Sequence, residues 1–291
     1  MTPIVPRSTC SRPGVRRSRL RLVLAPVLLA VGLVGGLAFG AMPAAAATST
    51  LFVNTTLGVP STDSSCSTAA YTTIQSAVNA AATGDTIVVC PGTYAGGATI
   101  STAGLILKGN QFGVDARHRT GTNESIVTSN ASNNSGFDVT ASNVTINGFT
   151  INDPNGATGA PGSGFGVNVA SSVSGTNVSD NIITGNVAGL YLNSNGTSPS
   201  EVHDNLFANN NKPGSSSGDG IYSDAGLRNA SITSNGFTGI GVNSAGIVIA
   251  GSAPQMGVVI DENQFNGGGT AGKCSPTPTR AASTDRLRTA A

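Results

Sequence analysis

Two acids and two tyrosines have the spacing to do chemistry. Asp180 and Asp204 each precede an Asn in a repeated phrase, Val178-Ser-Asp-Asn181 and Val202-His-Asp-Asn205. If those phrases stack as parallel strands, the two carboxyl groups fall about 5 Å apart. Carboxylates that close either share a proton or recruit a cation such as calcium. Paired carboxylates also serve acid–base glycoside chemistry, where a wider gap of about 6.5–9.5 Å suits an inverting mechanism. The plainer reading is that a solvated corner turn prefers short polar residues. Tyr191 and Tyr222 belong to a second phrase, Gly189-Leu-Tyr-Leu192 and Gly220-Ile-Tyr-Ser223. Strand alternation turns both rings outward on successive coils, with Asn193 and Asp224 as the next outward positions. An aromatic pair beside amide and carboxylate groups is a platform for sugar, because a pyranose face packs on a ring while its hydroxyls need partners. The same pair could equally be a surface ladder that only stabilises a sheet. A third cluster, Asp115-Ala-Arg-His-Arg119 with Lys108, has the base and cations that cleavage of uronic acids by elimination requires. A solvated loop accounts for it as well.

The elements that must position these groups are repeats. A β-branched residue three places before an Asn, with Phe or Ile two places after it, occurs five times between residues 143 and 265. The Asn residues are Asn147, Asn181, Asn205, Asn235 and Asn263. The Gly phrase precedes four of them, and from its first apolar residue to the Asn the distance is 14, 15, 14 and 16 residues. From each Asn to the next such apolar residue it is 20, 9, 16 and 12. One part of the turn is fixed and the other accepts insertions, as in a solenoid with loops at one corner. Stacked in register, Val144, Val178, Val202, Ile232 and Ile260 form one inward column, and Phe149, Ile183, Phe207, Phe237 and Phe265 another. The Asn row suits a buried corner, since Asn tolerates the left-handed conformation and its amide bonds to equivalent amides above and below.

These rows resemble the right-handed parallel β-helix superfamily, the architecture of pectate lyases and polygalacturonases, over roughly residues 68 to 268. The resemblance implies an all-β solenoid of about seven coils and is nearly silent on activity. The catalytic series of those enzymes are missing: there is no Asn-Thr-Asp, Asp-Asp and Gly-His-Gly set and no Arg-x-Pro-x-x-Arg.

Residues 1–47 read as a secretory signal peptide, with six arginines, an apolar stretch from Leu22 to Gly40 and small residues at 44–47. That apolar stretch is also long enough for an uncleaved anchor. Arg16-Arg17 leaves twin-arginine or general export open. Beyond the leader, nine Lys and Arg face 14 Asp and Glu, a net charge of −5 with no basic footprint for nucleic acid. Residues 48–84 read as a strand and a capping helix with Ile74, Ala77, Val78 and Ala81 on one stripe and Gly84 as stop. The β-helix then spans 85–268, and 269–291 reads as a disordered tail. Cys66 and Cys90 flank the helix and are expected to form a disulfide in an oxidising compartment. The sequence thus points to a secreted, monomeric β-helix that binds polysaccharide or cell-surface glycan, free of the membrane once the leader is cleaved. It implies no cofactor, with calcium at Asp180 and Asp204 the one metal to consider. A lyase or hydrolase acting on uronate-containing polymers, and a purely structural adhesin module, are the alternatives.

Overall fold

The computed structural model describes residues 47–56, 62–128, 135–152, 164–241, 244–250 and 255–266, with the backbone of strands Thr270–Cys274 and Arg286–Arg288. Residues 1–46, all but the last of the segment expected to be a signal peptide, lie outside the described residues, as do residues 153–163. Every described strand pairing is parallel, and the chain is a right-handed parallel β-helix with three faces. On the first face Thr50–Val53, Thr86–Val89, Ile106–Lys108, Thr145–Asn147, Asn177–Ser179, Ser200–His203 and Arg228–Thr233 stack in that order. On the second face the stack is Gly92–Ala95, Ser125–Thr128, Phe149–Ile151, Ile182–Thr184, Leu206–Ala208 and Gly236–Thr238. The long strand Met256–Asn266 closes both. The third face has seven strands, Ala98–Ile100, Phe137–Val139, Phe165–Val169, Ala188–Tyr191, Ile221–Ser223, Ala245–Ile249 and Thr270–Cys274. That matches the expected number of coils.

The columns form as the repeat requires. Val178, Val202, Ile232 and Ile260 are directly paired on the first face. Ile183, Phe207, Phe237 and Phe265 are paired on the second, with ring centroids 5.0 and 4.8 Å apart for the three phenylalanines. The glycine of the second phrase is explained by these rings. A Cβ on Gly189 would lie 2.6 Å from the Phe207 ring of the next coil, and one on Gly220 2.5 Å from Phe237. Nothing larger than hydrogen fits between coils at that position.

Two expectations about the Asn row need correction. Four of its members are buried in one ladder: each Asn181, Asn205 and Asn235 backbone N–H and side-chain Nδ2 donates to Oδ1 of the next Asn, at 2.9–3.1 Å. The left-handed residue, however, is the one before the Asn: Asp180, Asp204, Ser234 and Glu262 have φ of 54–56°. Asn147 is not part of the ladder. In the expected alignment Ile146 would stand level with Asp180 and have to adopt the left-handed conformation, which β-branched residues avoid. The strand instead shifts by two residues, so that Ile146 pairs with Val178 and Gly148, at φ 81°, makes the turn. Phe149 N–H then donates to Asn181 Oδ1 at 3.0 Å, and Ile151, not Phe149, joins the second column. A second ladder that the repeat did not announce joins Asn186 to Asn210 at 2.8 and 3.1 Å.

The cap is the expected one, with a shorter helix. Helix Ile74–Ala80 buries Ile74, Ala77 and Val78, and the Thr73 hydroxyl accepts from Ser76 N–H at its start. Cys66 and Cys90 form the disulfide. Tyr94 is buried beside it, its hydroxyl donating to the carbonyls of Val53 and Cys90 at 3.1 and 2.9 Å, and burial pushes its pKa up to about 12. At the other end, Thr270–Cys274 pairs with Ala245–Ile249 and Arg286–Arg288 with Met256–Asn266. These two segments of the expected disordered tail are strand.

Candidate functional site

The repeat brings two of the three candidate clusters together and keeps the other apart. The Asp115–Arg119 cluster, for which a solvated loop was one account, belongs to a longer segment, Gly109 to Glu124. That segment is a strap laid across the regular coils. Gln111 N–H donates to Gly148 O, Gly113 N–H to Asn147 Oδ1 and Ala116 N–H to Asp204 O, at 3.2, 3.0 and 3.1 Å. Its underside carries an ion pair between Arg119 and Glu124, whose side chains are 3% and 2% exposed. Burial lowers the Arg119 pKa against the pull of Glu124. Arg119 also donates to Phe149 O at 2.9 Å, and Glu124 accepts from Thr150 at 3.0 Å.

The strap delivers Arg117 to the corner carboxylates. Arg117 Nη2 reaches Asp115 Oδ2 at 2.6 Å and Asp204 Oδ1 at 3.0 Å, the second contact spanning 87 residues of the chain. The other Asp204 oxygen lies 2.9 Å from His203 Nδ1. Arg117's hydrogen bonds hold the Asp115 carboxyl below its ordinary range. Asp180 occupies the position of Asp204 on the preceding coil, about one strand spacing away. Burial raises its pKa, and the hydrogen bond from Asn147 Nδ2 at 2.8 Å opposes that rise. Asn147 therefore serves Asp180 instead of the Asn ladder. Among the described residues no group of three or more His, Cys, Asp and Glu could hold a metal ion.

The aromatic pair stands on the third face. Asp138, Asn168, Tyr191, Tyr222 and Val248 form one row in strict register over five coils. Asn168 Nδ2 donates to Asp138 Oδ1 at 3.0 Å. The Tyr191 and Tyr222 rings stack with centroids 6.1 Å apart and planes 20° from parallel, and Phe165 stacks on Tyr191 at 5.1 Å. Both hydroxyls donate to Asp224, Tyr191 to Oδ1 at 2.5 Å and Tyr222 to Oδ2 at 3.2 Å. Partial burial, together with the Asp224 charge, raises both phenol pKa values, that of Tyr191 to about 12.

Asn193 lies beneath this surface, its side chain hydrogen-bonded to Tyr191. It is fully buried, its Oδ1 accepting from Ser223 Oγ and Ala225 N–H at 3.2 and 3.1 Å. The chain turns its corner after Leu192, so Leu192 and Asn193 are both buried there and simple alternation fails. Asn168 is the amide that belongs to this half-buried outer row. Phe165 was missed although it directly precedes the Gly of its phrase. His203 was noticed only as a neighbour of Asp204, because no sequence pattern ties it to Arg117.

No family model and no curated protein sequence matches the chain. Among solved structures it is similar to a pectin methylesterase in complex with a hexasaccharide, at 14% identity and TM-score 0.47 over 76% of this chain and 71% of that one. It is likewise similar to the pectin methylesterase PemA from Erwinia chrysanthemi, at 15% identity and TM-score 0.46 over 75% and 67% of the two chains. For the pectin methylesterase from Aspergillus niger the values are 14% and 0.43 over 84% and 92%. At such identities the likeness is one of fold, and the parallel pairing on all three faces already makes this chain a right-handed parallel β-helix.

Proposed function

We propose that this chain is a secreted β-helix that binds polysaccharide along the outer row of its third face. The observation that carries this reading is the row itself. Asp138, Asn168, Tyr191 and Tyr222 stand on four successive coils, and Asp224 gathers both tyrosine hydroxyls. The rings overlap along the row, so a sugar meets their uncovered edges as a ribbed strip, flanked by an amide and carboxylates for its hydroxyls. The disulfide supports export to an oxidising compartment. No helix among the described residues is long and apolar enough to cross a membrane.

The test is affinity electrophoresis in gels that contain soluble polysaccharide. Changing Tyr191 and Tyr222 together to Ala is expected to abolish retardation while the melting temperature stays within a few degrees. Exposed cross-strand pairs contribute only about 0.2–1 kcal/mol each. Retardation that survives the double change sinks the reading. Loss of binding that merely accompanies unfolding leaves the ladder as a stabiliser and favours the adhesin module.

A second reading, catalysis on polysaccharide, is favoured by the strap. It fixes Asp204 between Arg117 and His203, and burial keeps a proton more tightly on the neighbouring Asp180. Two carboxyl groups in different environments can divide acid and base roles. If this corner cleaves uronate polymers, Asp180→Asn lowers the release of reducing ends or unsaturated uronate by about 100-fold or more. A wild-type protein that releases neither product from any uronate polymer removes the reading.

A further inference from the structure

The strap over the corner is held down differently from the coils beneath it. Apolar side chains do not fasten it: the one that it buries between 110 and 123 is Ala116, while Phe112 and Val114 are 46% and 44% exposed. The described core passes from Leu107 to Val127 without a residue of the strap. Closure therefore gains almost none of the burial that fixes the coils. The polar underside is poorly matched. Arg119 Nε lies 3.6 Å from Glu124 Oε1, too far for a hydrogen bond. Among the described residues Arg119 Nε, Arg119 Nη1 and Glu124 Oε1 are buried with no hydrogen-bond partner. A buried ion pair bonded this imperfectly does not recover what its dehydration costs. Lifting the strap lets water satisfy all three atoms.

The feet of the strap are tied to each other and to the coil below. Asn110 Nδ2 donates to Asn123 O at 2.8 Å, Gln111 Nε2 to Thr122 O at 3.0 Å and Asn110 N–H to Ser125 Oγ at 2.9 Å. A surface loop with its ends joined in this way is an Ω-loop, and the tied neck lets it swing as one body. The seat beneath it is cut to fit. A Cβ on Gly148 would lie 2.3 Å from Phe112 N, and one on Gly236 would lie 3.2 Å from Arg117 Cγ. We propose, resting on the reading of this corner as a polysaccharide site, that residues 110–123 are a lid that swings open to admit ligand to the corner carboxylates. Opening takes Arg117 off Asp204, Ala116 N–H off Asp204 O and Gly113 N–H off the Asn147 side chain that holds Asp180. Arg117 is the latch. Asp115 travels with the strap, so the latch keeps one carboxylate partner when it releases the other. A uronate carboxylate can take the place of Asp204 on that guanidinium and hold the lid open.

The experiment is native-state hydrogen exchange on the full chain. It compares the Gln111, Gly113 and Ala116 N–H groups, each bonded across to the coils, with the buried ladder N–H groups of Asn181 and Asn205. The three strap amides are expected to exchange about 100-fold or more faster than the ladder, through one common opening. Gly236→Leu wedges the seat of Arg117 and should speed all three, relative to the ladder, by about tenfold or more. Arg119→Met with Glu124→Leu removes the unmatched pair and should slow all three by about tenfold. If that double variant disturbs the corner, the wedge alone decides. Strap amides that exchange at the ladder rate, or that respond to the wedge by unlike factors, overturn the lid. Polygalacturonate is expected to speed strap exchange about fivefold or more, because it binds the open corner. A strap that opens as stated, yet is unmoved by polygalacturonate and releases no product from it, overturns the polysaccharide reading of the corner and the admission of ligand, and leaves the opening itself standing.

Discussion

Replacing Asn205 with Leu is expected to lower the unfolding free energy by about 3 kcal/mol, although Leu is apolar, similar in size and placed in a buried site. The reason is the number of groups that this one amide satisfies. Nδ2 donates to Val178 O, His203 O and Asn235 Oδ1 at 2.8–2.9 Å, and Oδ1 accepts from Asn181 N–H and Asn181 Nδ2 at 2.9 and 3.1 Å. After the change, the fully buried Asn181 has a backbone N–H with no acceptor, and its side chain loses one of its bonds. A buried polar group left without a partner costs about 1–3 kcal/mol, and here more than one group is affected. The apolar columns are untouched, so the β-helix still folds. For a domain of this size the melting temperature should fall by roughly 6–12 °C. Calorimetry that finds a shift below about 2 °C would mean that the columns alone fix the stacking. The change should also loosen the corner, because His203 and Asp204 immediately precede the rung that is lost.

The parts of this molecule that were legible in the sequence are those with a repeating cause. Val178, Val202 and Ile232 recur because every coil needs the same inward group, and the helix stripe of Ile74, Ala77 and Val78 is fixed by its 3.6-residue period. The outward tyrosine pair followed from the same alternation. What was hidden depends on single local events. The two-residue shift at Asn147 turns on whether Ile146 or Gly148 must be left-handed, and the phrase looks regular until backbone geometry is considered. Asn193 was misplaced because alternation ends at the corner after Leu192. The strap lay beyond any periodic argument: the contact from Arg117 to Asp204 spans 87 residues, and nothing in either short segment names the other.

Removing the Cys66–Cys90 disulfide is expected to destabilise the protein by about 3.4 kcal/mol on the chain-entropy account of a cross-link spanning 24 residues. The consequence should begin at the N-terminal end. The bridge joins the start of the capping segment to the end of strand Thr86–Val89, which pairs with Thr50–Val53, and the helix between them covers that end of the core. Asn54 Nδ2 donating to Cys66 O at 2.9 Å, and Asp63 Oδ1 accepting from Phe52 and Ala70 N–H at 3.0 Å, hold the same segment by weaker means. Without the bridge these bonds oppose the opening of the cap alone. A cap that opens uncovers apolar residues and a strand edge that can pair with another chain. Cys66→Ala with Cys90→Ala should therefore lower the melting temperature by about 7–14 °C and raise light scattering on heating. If the tyrosine row binds glycan as proposed, its retention below the transition should not change, because Tyr191 and Tyr222 stand several coils away. A double variant that melts with the wild type makes the bridge idle, and mass spectrometry that finds both thiols free in the wild-type protein removes it. Only the second result would also take away the structural argument for an oxidising compartment, because a bridge that adds no stability is still a bridge.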